Sequence, residues 1–197
     1  MNRRTSNIVY ILTHHTTVGI IVGLVLLFAL SNQAQGDWLT MEKNGVTVAV
    51  LHNEIVEADL EIPEVDRYVI NSQGGLFHVA HQIAESIKGQ DKPIFFNTAY
   101  SAAAYIVCKT GAKPIGDNAT LGFHWARTLP GEIENKEFTE YINTIMLQAM
   151  LDVVPVVTAS KIIGQMHTIY HKDQTNSMIL FNVETNKITT ITEGKTQ

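Results

Sequence analysis

The chain has 197 residues, 45% of them apolar, with a formal net charge of -5; this is enough to bury one core and speaks against a disordered or low-complexity polypeptide. Its 14 basic residues are scattered rather than gathered into a stripe with interleaved aromatics, which argues against nucleic acid as a partner. The lone cysteine, Cys108, excludes an internal disulfide and is expected to be a small buried hydrophobe.

The N-terminus reads as a targeting signal. Arg3 and Arg4 precede an uninterrupted apolar stretch from Val18 to Leu30, followed by the polar run Ser31 to Gly36. Thirteen apolar residues are short for a membrane span and fit the centre of a secretory signal peptide, with cleavage expected before Asp37. The alternative is an uncleaved anchor, because apolar Ile8 to Leu12 extends the hydrophobic character upstream. Either outcome puts residues 37–197 outside the cytoplasm as one domain, periplasmic or secreted, touching a membrane only through the N-terminal segment. No repeat or Pro/Gly/Ser-rich linker divides that span.

Short strands then alternate with helices. Val46 to Leu51 and Arg67 to Asn71 read as strands, the second running into Ser72-Gln73-Gly74-Gly75. Leu76, Val79, Ala80, Ile83 and Ile87 share one helical face, so a helix is expected from the glycines onward. Pro93 to Asn97 is a strand, Thr98 to Tyr100 a turn, and Ser101 to Thr110 a helix of small residues capped by Gly111. Strand fragments at Lys113 to Gly116 and Thr120 to Phe123 lead to His124, and a loop with Pro130-Gly131 follows. An amphipathic helix is expected from about Lys136 to Asp152, burying Phe138, Tyr141, Ile142, Ile145, Met146, Ala149 and Met150. A second helix after Thr158 carries Ile162, Ile163, Met166 and Ile169, and a hairpin around Glu184-Thr185-Asn186 closes the chain. Repeated strand–helix units followed by helices predict an α/β layered fold with helices packed on a mostly parallel sheet.

The chemistry points to Ser101. A serine directly after a strand and at the first turn of a helix faces solvent at the sheet edge, beside free backbone N–H groups and the positive end of the helix dipole. A second N–H donor is available from Gly74 or Gly75, where the absent Cβ lets backbone approach a ligand. Two donors aimed at one developing negative charge are what acyl transfer requires. A serine hydroxyl also needs a proton acceptor, and His124, ending the strand after Asn118, is the candidate base. Taken singly, a serine at a helix start is usually a cap and a histidine after a strand usually structural. Their combination favours catalysis.

The runs Tyr68 to Gly75, Ala99 to Ala103, and Gly122-Phe123-His124 resemble, in order and separation, the motifs of the Clp protease proteolytic subunit within the crotonase-like superfamily. The resemblance is closest to exported members of signal-peptide-peptidase-like and serine-dehydrogenase type, and covers roughly Val46 to Arg127. It implies a fold of repeated ββα units, Ser101 as nucleophile, His124 as general base, and Gly74 and Ala102 as oxyanion-hole donors. It also implies a peptide or protein substrate and a homo-oligomer. Departures are Gln73 in place of proline, Ala99 and Ala103 where exported relatives often carry cysteines, and a short His52 to Asp66 segment that leaves the first helix reduced or missing. The family's orienting aspartate corresponds by separation to Asp173; Asp152 and Asp117 compete, and a Ser-His dyad is the alternative.

Neither metal nor cofactor is expected. His78 and His81, and His167 and His171, have spacings that can share a helical face, yet no completing ligand pattern accompanies them. Ser72 to Gly75 lacks the Lys-Ser/Thr of a phosphate loop and the third glycine of a dinucleotide fingerprint. Competing with a serine peptidase or related hydrolase are a catalytically silent binding or assembly module of the same fold and crotonase-like acyl-coenzyme A chemistry. Export disfavours the last.

Overall fold

The computed structural model describes residues 38–126, 135–171 and 177–192, all within one compact unit spanning Gln35–Gln197. The expected export signal at 1–36 and Asp173 lie outside the described residues. Eight strands and four α-helices are found among the described residues, forming a mixed α/β architecture on a single sheet.

The strand expected at Val46 to Leu51 is present, and a strand before it, paired with it, was not expected from the sequence. β1 (Leu39–Lys43) and β2 (Val46–Ile55) pair antiparallel across Asn44-Gly45, whose φ values of 55° and 75° are those of a tight two-residue hairpin. β2 then runs inside the sheet, apolar from Val48 to Leu51 and buried from Val48 to His52. The short crossover to β3 (Arg67–Gly75) contains only a one-turn 3-10 helix at Glu57–Leu60. Asp59 holds that turn by accepting the Val56 N–H at 2.9 Å.

β3 leads into α1 (Phe77–Lys88), which buries Val79, Ala80, Ile83, Ala84 and Ile87. The strand continues through both glycines, and the helix begins only after Leu76. β4 (Ile94–Tyr100) leads in turn into α2 (Ala102–Thr110), whose first seven residues are all buried. A helix apolar all round suits a place inside the fold, and Gly111 ends it in the left-handed conformation at φ 66°. β5 (Lys113–Pro114) and β6 (Thr120–Phe123) both lie parallel to β4, at successive positions along the same edge. α3 (Lys136–Val153) starts at Asn135, whose side chain accepts the Phe138 N–H at 3.0 Å. It stops where Val154 becomes extended ahead of Pro155, and α4 (Val156–His171) follows. β7 (Ser177–Asn182) and β8 (Lys187–Thr192) form the expected closing hairpin.

The strand order is β1-β2-β3-β4-β6-β7-β8, with β5 beside β4. The sheet is therefore mixed rather than mostly parallel. β2, β3, β4 and β6 run parallel, whereas β1, β7 and β8 are antiparallel additions. Tight turns join β1 to β2 and β7 to β8, and a turn that short can only return a strand antiparallel. α3 also differs from expectation: Phe138 and Tyr141 are exposed, at 52% and 61%, and the buried stripe is Ile142, Met146, Ala149 and Met150.

Candidate functional site

Two strand-to-helix turns meet at the carboxyl ends of the parallel strands, where open α/β sheets hold ligands. The β4–α2 turn consists of Ser101 alone. Its N–H donates to the Gly122 carbonyl at 2.8 Å, and its own carbonyl accepts from Ala104 at 3.0 Å and Tyr105 at 3.3 Å, so its main chain starts the helix. Its side chain does not. At φ 53° and ψ -123° Ser101 lacks the extended conformation of a capping serine, and Oγ makes no hydrogen bond among the described residues. Other non-glycine positive-φ residues among those described are Asn44, Asn53, Asp91 and Asn186, all types that tolerate this region. Ser101 is the exception, held in a conformation that costs about 1–3 kcal/mol.

The β3–α1 turn is built to lie against it. Gly74 has φ 96°, and a Cβ there would stand 2.6 Å from the Tyr100 carbonyl oxygen, 2.7 Å from Ser101 Cβ and 3.1 Å from Ala102 N. Gly75, at φ 144°, would drive a Cβ into the Ile55 backbone. The structure thus brings Ser101, Gly74 and Ala102 into direct contact. Ala102 opens α2, so its N–H has no intrahelical acceptor. The Gly74 N–H is engaged, donating to Ser72 Oγ at 3.1 Å. That is a long neutral bond, of the kind a charged acceptor displaces.

His124 follows β6, which pairs with β4 so that Tyr100 stands opposite Gly122. Ser101 and His124 therefore leave neighbouring parallel strands at the same edge, and no hydrogen bond joins their side chains. The imidazole Nδ1 lies 2.7 Å from the Trp125 carbonyl oxygen. A carbonyl only accepts, so Nδ1 carries the proton, and in the neutral ring Nε2 is then the acceptor nitrogen, the tautomer a base requires. The N–H of the same Trp125–Ala126 peptide group donates to Asn143 Oδ1 at 2.7 Å, a residue the sequence reading did not single out. Its signal was faint: a poor helix former within α3.

A pocket lined by His124, Trp125, Met166, Ile169 and Tyr170 adjoins the base. Beyond Trp125 and Tyr170 a groove of about 560 Å³ runs along α3 and α4, past Asn143, Glu140 and Lys136. Of the competing acids, Asp117 and Asp152 are both exposed. Burial, and after it the charge of Asp152, raises the pKa of Cys108, so Asp152 acts on the Cys108 thiol of α2. His78 and His81 engage Glu57 at 2.6 Å and the Tyr105 hydroxyl at 2.8 Å. No group of three or more metal-ligating side chains occurs among the described residues. No family model matches the chain, and no curated protein matches it.

Proposed function

We propose that this chain is an exported serine hydrolase of Clp-protease and crotonase type that cleaves peptide-like acyl substrates. Ser101 Oγ attacks the acyl carbon while His124 Nε2 takes its proton. The Ala102 N–H and the Gly74 N–H, released from Ser72, hold the oxyanion. The imidazolium then protonates the leaving amine, and water repeats the sequence to release the acid. The Trp125 carbonyl lies on Nδ1, the nitrogen a triad's aspartate would hold, which supports the Ser-His dyad reading.

One observation carries this reading. Ser101 is held at a strained φ of 53° with its hydroxyl spent on no cap, next to a helix N-terminus and a glycine that a side chain would push away. A merely structural serine at that position would adopt the extended backbone and cap the helix. The repeated ββα fold, export by residues 1–36 or anchoring by 18–30, and a homo-oligomer belong to the same proposal, supported by the ordered motifs and by the consecutive β3–α1 and β4–α2 units.

A fluorophosphonate probe should label wild-type protein at Ser101, located by mass spectrometry, and Ser101→Ala should abolish labelling with an unchanged circular dichroism spectrum. Wild-type protein that stays unlabelled would favour a silent binding module instead. Two features motivate that second reading: the Gly74 N–H bonded to Ser72 and the absence of a Ser101–His124 hydrogen bond.

A further inference from the structure

Both polar atoms of the Trp125–Ala126 peptide group are committed to side chains, one on the adjacent His124 and one on Asn143, 17 residues from Ala126. Its carbonyl accepts from His124 Nδ1, and its N–H donates to Asn143 Oδ1, each at 2.7 Å. β6 ends at Phe123, so no strand ladder supplies a partner for that N–H. A side chain from the middle of α3 supplies it instead, from a half-buried position. Hydrogen bonds in series polarise one another. An acceptor drawing on the N–H leaves the carbonyl oxygen more negative, which tightens its hold on Nδ1–H and stabilises the imidazolium formed when Nε2 takes a proton. The same bond fixes the plane of the peptide, and hence the direction of the ring.

We propose that Asn143 is a positioning residue for His124, acting through the Trp125–Ala126 peptide group; this rests on the Ser101–His124 reading. Asn143 touches neither the reacting atoms nor the imidazole. It sets the tautomer and the basicity of His124 from one peptide away. The titratable groups nearby are Tyr170, which shares the His124 pocket, and Glu140, Lys136 and His167 along the groove beyond Trp125. All are retained in the variants below, so they are common to every comparison.

The test uses the 15N-labelled full chain and reads His124 by NMR alongside fluorophosphonate labelling. N143A should spread His124 between its two neutral tautomers and slow labelling about tenfold at an unchanged half-saturating probe concentration. N143D keeps an acceptor for the Ala126 N–H and adds charge behind it, so labelling should stay within about threefold of wild type and the His124 titration midpoint should rise by about half a pH unit. The N143D midpoint stands by itself even if N143A does not fold. A wild-type tautomer and labelling rate in N143A, or an unmoved midpoint in N143D, overturns the proposal. The NMR readout needs no catalysis: a tautomer that responds to Asn143 in protein that no probe labels supports the positioning role and removes the hydrolase reading alone.

Discussion

The two strand-to-helix turns solve one geometric problem in opposite ways. At the end of β3, just before α1, the chain uses Gly74 and Gly75, at φ 96° and 144°, and presents backbone only. Between β4 and α2 it uses Ser101 at φ 53°, retaining a side chain where a glycine would be more comfortable. The first turn gives up side chains so that another segment can approach. The second tolerates strain so that a hydroxyl can stand at the sheet edge. A strained turn that keeps its side chain is the kind of position where backbone strain and function coincide, which is the basis of the proposal for Ser101.

The largest expected effect comes from giving the first turn what the second one has. Gly75→Ala would press a Cβ into the Ile55 backbone at a φ that side chains avoid, and should destabilise the fold by about 4 kcal/mol in urea titration. Gly74→Ala, with a Cβ 2.6 Å from the Tyr100 carbonyl oxygen, should cost about 3 kcal/mol and push directly on Ser101 and the Ala102 N–H. Making the second turn like the first should do the reverse. Ser101→Gly relieves the left-handed strain and should add about 1 kcal/mol of stability while losing all labelling. A Ser101→Gly variant less stable than wild type would break the comparison.

The smallest effect concerns the link between the helices that follow these turns. Lys109 on α2 lies 3.0 Å from Glu85 on α1. The hydrogen bond from Lys109, more than its charge, holds the Glu85 carboxyl below its ordinary value of 4.5. A carboxyl whose folded pKa is depressed contributes stability above its unfolded pKa and loses it as pH falls through the lower folded value. Both partners are substantially exposed, so Glu85→Gln should cost no more than about 0.5 kcal/mol at neutral pH. That difference from wild type should vanish as pH falls below the carboxylate range.

Much of this frame was legible in the residues because it is local. Gly111 marks the end of α2, and the apolar spacing from Val79 to Ile87 marks α1. The one-turn crossover followed from the brevity of His52 to Asp66. β1 was missed although Asn44-Gly45 is a strong hairpin signal, because Leu39 to Lys43 is too polar to stand out as a strand. Phe138 and Tyr141 fit the helical period, yet period alone does not say how wide a stripe the rest of the fold covers. The site divides in the same way. The turn that displays Ser101 is written in adjacent residues. The Ser101 N–H is held by the Gly122 carbonyl on β6, and the Trp125–Ala126 peptide beside His124 is held by Asn143, 17 residues from Ala126. Contacts of that range leave no periodic trace in a sequence.

Cys108 has a consequence for reagents. Its thiol is buried in α2, the helix that Ser101 begins, and burial followed by the Asp152 charge pushes it up to about 12. At neutral pH the folded chain therefore offers electrophiles almost no thiolate. Adducts captured on intact protein are uncontaminated by thiol chemistry. Alkylation at residue 108 becomes a clock for the opening of the very helix whose first turn is proposed to stabilise the oxyanion.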